Sequence, residues 1–499
     1  MGVEKYKKEI IAAIFLITFF FFSRLIKLTA LPIFVDEAIY LRWAQIAKND
    51  ANWRFISLTD GKQPLFVWIV MVAMKFIQDP LVAGRLVSVL IGFCSIITIG
   101  GLAYLLFKDR KIALLSSLLY LVFPFALVYD RMVLMDGLVG TFSLLSLTLA
   151  ILLVRTLRLD VALILGAVLG GGVLTKTSGF LNIYLLPLTL LLFDCSPNKR
   201  RANFIRWLFL AFLAVLISQL FYSVLRLSPF FHIISQKNAL FVFPFNEWIK
   251  HPFYYLKSNF QGLSNWLVSY LTWPWFFLII FSLLNFRSHF REKLLLFGWF
   301  LIPFVGLTVF GNILYPRFIF SMSLPLLILV AWLLSNFSNL LKKRILWVAT
   351  VLLFLYLPLS IDFKLLFKPE IAPIPRSDRE QYISSWPAGW GVKEIVAFAK
   401  EEAKKGKIFI ATEGTFGLFP ASLELYLWDN PNVEIKGYFP VKEIPAEVLK
   451  KAEIMPTYFV FNETVEVPSN FPLKLIAEYH RPLPRYSMRL YQVMPSKSK

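Results

Sequence analysis

The sequence predicts an α-helical polytopic membrane protein with a small soluble α/β domain at its C-terminal end. Three observations predict it. The 499-residue chain is 58% hydrophobic and 17% aromatic but only 17% charged, where a soluble protein averages about 25% charged. Apolar runs approaching the roughly 17–25 residues that cross a bilayer recur through the first 360 positions. After about residue 361 the composition turns abruptly to charge and proline.

The formal net charge is +21. Most of its basic residues sit in short clusters between apolar runs, which suits anionic headgroups and topology rather than a nucleic acid partner. The two cysteines, Cys94 and Cys195, have neither metal-ligand spacing nor a disulfide framework.

Spans are expected near 9–30, 84–107, 112–129, 137–154, 160–174, 179–193, 205–225, 267–285, 294–310, 317–338 and 345–360, about eleven in all. The first follows Lys5, Lys7 and Lys8. It is too long for a signal-peptide core and ends in a poor cleavage site, Leu28-Thr29-Ala30-Leu31-Pro32, so it reads as a retained span. Residues 65–77 are too short to span comfortably and read as an interfacial or re-entrant helix.

Charge then sets orientation. With the N-terminus inside, the inner segments hold Lys5/Lys7/Lys8, Lys108/Arg110/Lys111, Arg155/Arg158, Lys199/Arg200/Arg201/Arg206, Arg287/Arg291/Lys293 and Lys342/Lys343/Arg344. The short outer turns hold only Arg131, Lys176 and Arg317, the bias that the positive-inside rule describes. A spanning 65–77 segment would reverse it. The expected organisation is a transmembrane domain over 1–360, with long outer loops at 31–83 and 226–266, and an extracytoplasmic soluble domain over 361–499. In the latter, 391–405 has helical periodicity, while KIFIAT, 432–438 and 457–461 read as strands. The protein is thus expected in the plasma membrane, multi-pass, with a cytoplasmic N-terminus.

Ionisable residues set against apolar runs gather on the outer side: Asp36 and Glu37, Asp60 and Lys62, Asp130, Arg131 and Asp136, Lys176, and Arg317. Such charges are costly unless paired or used, so a mixed-sign set on one side is a candidate site. Asp36-Glu37 opens an amphipathic helical pattern. One reading makes Asp36 a helix cap; the other makes it a general base at a partly dehydrated surface. Lys62, Arg131, Lys176 and Arg317 together read as a cationic pocket for a phosphate whose lipid tail stays in the bilayer. His232 and His251, with Glu247, have no recognised metal spacing. No cofactor is assigned, and a divalent metal is left open.

The pattern resembles the GT-C-fold glycosyltransferases, in particular the protein mannosyltransferase-like (glycosyltransferase family 39) and aminoarabinose-transferase-like families. The resemblance lies in the acidic pair Asp36-Glu37 followed by Tyr40, in Lys62, Pro64 and Leu65 entering a short helix, and in Arg131 with Asp136. It continues in Leu174-Thr175-Lys176 and in Pro316-Arg317-Phe318 with Pro325. It covers roughly 1–360. It implies transfer of a sugar from a polyprenyl-phosphate donor to an acceptor hydroxyl on a protein, glycan or lipid, on the outer face and with inversion. By that resemblance Asp36 is the base, Lys62 and Arg131 contact the donor, and Arg317 binds phosphate. Gly61 stands where aminoarabinose transferases have an acidic residue, and Ile39 where they have Arg. Both departures point away from lipid A modification.

Building negative charge on a departing phosphate calls for fixed cations, and a carboxylate on the opposite side activates the incoming hydroxyl. The sequence contains no nucleotide-binding glycine motif. Two other classes remain open, a lipid or solute transporter and a non-catalytic membrane scaffold. A transporter would place ionisable residues near the bilayer midplane.

Overall fold

The computed structural model describes residues 7–194, 200–341, 343–483 and 485–495. Lys5, Cys195, Lys199 and Lys342, named above, lie outside them. The chain divides into two compact units that do not follow sequence order. One comprises Met1–Ile26, Asn52–Ile69 and Arg85–Pro375; the other comprises Lys27–Ala51, Val70–Gly84 and Arg376–Lys499.

The first unit is helical. Seven stretches of the described chain are long and apolar enough to cross a bilayer: Pro80–Phe107, Met135–Thr156, Arg200–Leu227, Leu256–Leu284, Phe290–Phe310, Pro316–Ser338 and Arg344–Phe367. The protein is therefore a multi-pass membrane protein. The other expected spans take different forms. Residues 9–30 contribute a 19-residue helix, Lys7–Leu25, and 160–174 a 17-residue one, Leu159–Thr175. The 112–129 run splits into Arg110–Leu121 and Pro124–Tyr129, because Pro124 lacks an N–H and restricts Phe123 to extended geometry. The 179–193 run is a five-residue helix followed by 3-10 turns at Leu186–Leu192, broken in the same way at Pro187. The 65–77 segment forms a nine-residue helix, Leu65–Ala73. At 1.5 Å per residue that is about 13 Å, far less than a bilayer core.

Close helix packing here depends on small residues. A Cβ on Gly166 would lie 2.9 Å from the Ala214 carbonyl oxygen, and one on Gly170 would lie 2.7 Å from the Phe221 ring. The four-residue spacing of these glycines lets Leu159–Thr175 approach Arg200–Ser223 closely, burying Leu165, Leu169, Trp207 and Leu210.

The second unit carries a five-stranded sheet of β1 (Ile408–Glu413), β2 (Val433–Tyr438), β3 (Thr457–Phe461), β4 (Leu473–His480) and β5 (Ser487–Val493). The spatial order is β2-β1-β3-β5-β4. Strand β1 runs parallel to β2 and β3, whereas β5 is antiparallel to both β3 and β4. Strands β1 and β3 are buried along their whole length, which explains their uninterrupted apolar runs. The Val392–Lys405 helix buries Val392, Ile395, Val396, Ala399 and Ala403, the one-sided spacing of an amphipathic helix. The helix, KIFIAT, 432–438 and 457–461 thus take the expected forms.

This unit also takes in the helix Val35–Asn49. Arg42 Nε lies 2.9 Å from Glu424 Oε2, Gln45 donates to the Leu425 carbonyl, and Phe34 forms a β-bridge with Ala388. The Phe34 ring meets Tyr382 edge-on.

Candidate functional site

In the sheet-bearing unit, the site begins at the first turn of the Val35–Asn49 helix. Phe34 is its extended N-cap residue. An apolar side chain cannot cap, so the fully buried Glu37 reaches back and its Oε2 accepts the Phe34 N–H at 2.9 Å. This is the glutamate half of a capping box, and its charge complements the helix N-terminus. Asp36, one residue earlier, is half-buried and lines a cavity of about 300 Å³ with Ile39, Trp386, Glu413, Phe416 and Glu463. Tyr40 is buried, its ring 5.6 Å from Trp43.

The far wall is held by a charge-assisted network. Strand β1 ends on Glu413, whose Oε2 accepts the backbone N–H groups of Asn462 (2.7 Å), Glu463 (2.7 Å) and Thr464 (3.1 Å). Its Oε1 accepts the Thr464 hydroxyl. Buried Arg481 donates from Nε to the Ala388 carbonyl and from its terminal nitrogens to the Asn462 carbonyl and Oδ1. Burial pulls this guanidinium down to about 10, with Glu413 and Glu463 opposing. The Glu463 carboxyl is pushed up by burial and by Glu413, with Arg481 opposing.

In the helical unit, three predicted cations each lie over one ring of a connected aromatic series, Phe241, Phe318 and Tyr315. Lys62 Nζ lies 5.4 Å from the Phe241 ring centre, Phe241 packs 5.8 Å from Phe318, and Lys176 Nζ lies 4.8 Å over Phe318. Arg317 precedes Phe318 and covers Tyr315 at 4.9 Å. Asp136 Oδ1 stands 2.6 Å from Lys176 Nζ, and Asp60 is paired with Lys237 at 2.5 Å. Thr177 accepts hydrogen bonds from Gln63 and Asn238, which fixes the segment after Lys62 beside the one after Lys176.

Arg131 makes its bonds elsewhere. It donates to the Ile26 carbonyl at 2.8 Å, and burial followed by the repulsion of Arg85 and Arg24 pulls it down to about 9, opposed by Asp362. It remains cationic at neutral pH. Beside it, Arg24 Nε stands 3.2 Å from Asp130 Oδ2 with both side chains buried, and Tyr120 donates to Asp130 Oδ1 at 2.9 Å.

The sequence reading missed Arg24, Arg85 and Asp362. Each is an ionisable residue near one end of an apolar helix, a signal available in principle. It missed Trp386, Glu413 and Glu463 as well, which no local motif marks. Among the described residues, no group of three or more His, Cys, Asp or Glu side chains is placed to hold a metal ion.

Comparison with known proteins follows the same lines. The family described as dolichyl-phosphate-mannose-protein mannosyltransferase matches residues 61–222. No curated protein matches the chain by sequence. Among solved structures, ArnT from Cupriavidus metallidurans in the apo state aligns with a TM-score of 0.63 and 16% identity, covering 99% of this chain and 100% of that one. Its complex with undecaprenyl phosphate aligns with a TM-score of 0.58 at 15% identity, covering 99% of each chain. The oligosaccharyltransferase AglB from Archaeoglobus fulgidus, in complex with an inhibitory peptide and a dolichol-phosphate, gives 0.52 at 12% identity over 92% of this chain and 70% of that one. The chain has the GT-C fold and resembles the protein mannosyltransferase-like and ArnT-like proteins.

Proposed function

We propose that this protein is a membrane glycosyltransferase that moves a sugar from a polyprenyl-phosphate donor to an acceptor hydroxyl, with inversion, on the outer face of the plasma membrane. The observation that carries this reading is that Lys62, Lys176 and Arg317, three cations drawn from distant stretches of sequence, each cover one ring of the connected series Phe241, Phe318 and Tyr315. Fixed cations in a partly dehydrated setting stabilise charge as it develops on a leaving phosphate. Arg131, which the family resemblance assigns to the donor, is half-buried.

Asp36 is the general base. It accepts the acceptor's proton as the acceptor oxygen bonds to the anomeric carbon. The bond from that carbon to the phosphate oxygen breaks, and the polyprenyl phosphate leaves with its electron pair. Glu37, engaged with Phe34, holds the start of the helix that presents Asp36. The two carboxylates of the acidic pair therefore have different work, one chemical and one positional.

The experiment is turnover of defined polyprenyl-phosphate sugars by the purified full-length protein in lipid nanodiscs, with sugar release and transfer followed by mass spectrometry. Sugar leaving the lipid carrier in a protein-dependent way supports the reading. No release from any polyprenyl-phosphate sugar, with movement of the intact lipid between leaflets of proteoliposomes instead, overturns it in favour of a transporter.

A further inference from the structure

We propose that the cavity beside Asp36 is the acceptor site, and that it selects a neutral sugar residue. This rests on the glycosyltransferase reading above and adds the class of acceptor. At about 300 Å³, the cavity lies at the small end of the range for small-molecule sites, roughly 300–1,000 Å³. That volume suits a sugar ring with part of its neighbour, whereas a serine or threonine side chain would leave most of it unfilled.

The lining agrees. Trp386 offers a half-buried indole, and Phe416 stands 60% exposed at the rim. Phe416 is held there by Gly414 and Gly417, whose φ angles of +116° and +118° are open to glycine and rarely to other residues. Aromatic faces give the apolar C–H face of a sugar a surface to stack on without long flexible side chains. Ile39 is an apolar wall residue.

The charge decides between acceptor classes. Asp36, Glu413 and Glu463 all line the cavity, and carboxylates only accept hydrogen bonds when ionised. They suit hydroxyl donors and repel a phosphate or uronate. Arg481, bonded to Ala388 and Asn462, keeps its charge beside Glu413 and Glu463, and the three lining carboxylates outnumber it. Glu413 uses its oxygens on the 462–464 turn, and Asp36 and Glu463 line the same cavity.

The test uses the full-length protein in nanodiscs and saturation-transfer NMR, with methyl β-D-glucopyranoside, methyl α-D-mannopyranoside, glucose 1-phosphate and an acetylated serine tripeptide as probes. The neutral pyranosides should bind, and both Trp386→Ala and the fold-safe rim variant Phe416→Ala should weaken them by about tenfold. Glu463→Gln should narrow the preference for the neutral sugars over glucose 1-phosphate. Pyranoside binding that both aromatic variants leave unchanged overturns the proposal. So does preferential binding of the tripeptide or the sugar phosphate by the wild type.

A second arm separates this inference from the function beneath it. Release of sugar from the polyprenyl phosphate into water, with no acceptor present, reports the donor reaction alone. A wild-type protein that releases sugar but binds no pyranoside overturns the acceptor site and leaves the enzyme reading standing. One that binds pyranosides through Trp386 and Phe416 but never releases sugar overturns the enzyme reading and leaves a sugar site.

Discussion

Lys176 Nζ stands 2.6 Å from Asp136 Oδ1 across 40 residues of sequence. Lys176 is the C-cap of Leu159–Thr175, and Asp136 lies in the first turn of Met135–Thr156. Each charge complements its own helix end, and the pair ties those two ends together. The same lysine covers Phe318 at 4.8 Å, so a structural role and the proposed donor-binding role meet on one side chain.

A double substitution separates them. Lys176→Met alone leaves a mostly buried Asp136 without its ammonium and should lower stability by about 1–3 kcal/mol. Adding Asp136→Leu should restore most of the melting temperature, since an apolar pair needs no solvation. Transfer should stay depressed in both variants, with the loss appearing in KM for the lipid donor. Recovery of activity along with stability would make the lysine purely structural.

The Arg24–Asp130 pair is buried on both sides. Asp130→Ala strands a guanidinium and should cost about 3–5 kcal/mol. Thermal unfolding in detergent reads this directly. Asp130→Asn, which keeps an acceptor for Tyr120 and Arg24, should cost less.

Gly61 adopts φ +68°, the left-handed turn that closes the Ile56–Asp60 3-10 helix. A Cβ there would lie 2.8 Å from Lys237 Cβ and 3.0 Å from the Ile233 carbonyl oxygen. Gly61→Glu should destabilise by about 1–2 kcal/mol from backbone strain alone. Comparing the melting temperatures of Gly61→Glu and Gly61→Ala isolates strain from charge.

Glu463 gives a pH signature. Burial and Glu413 raise its folded value above the ordinary 4.5, with Arg481 opposing. Between 4.5 and that raised value the native state holds the proton more tightly than the unfolded chain does. Stability from this group is therefore full below 4.5 and falls as pH rises through the folded value. Glu463→Gln should flatten that part of the stability–pH curve, measured by unfolding from pH 4 to 8. An unchanged curve would contradict the assignment.

How legible the molecule is from sequence depends on how local each signal is. Long apolar runs such as Pro80–Phe107 and Arg344–Phe367 are read from composition alone. The 112–129 run is not, because Pro124 acts through backbone geometry rather than hydropathy. Lys62, Lys176 and Arg317 are legible as a set by motif order and by side of the membrane. The ring series that joins them is not, since Phe241 lies in a long loop with no motif. The cap expected at Asp36 falls instead to Glu37, because the helix starts one residue earlier, at Val35, and Glu37 stands three positions after the N-cap residue Phe34. The cavity is the least legible feature, because parallel pairing of β1 with β3 sets Glu413 beside Glu463, and Asp36 and Trp386 line the same cavity from distant parts of the sequence.

Asp36 is the residue on which the catalytic account turns, and single-turnover transfer by Asp36→Asn tests it most directly. The substitution keeps size and helix position while removing the base, and general-base catalysis is worth about 10²–10⁴-fold. The account predicts a loss of at least about a hundredfold, with donor binding and melting temperature retained. Glu37→Gln should instead lower stability and keep most of the rate. Transfer at the wild-type rate by a stably folded Asp36→Asn protein would contradict it.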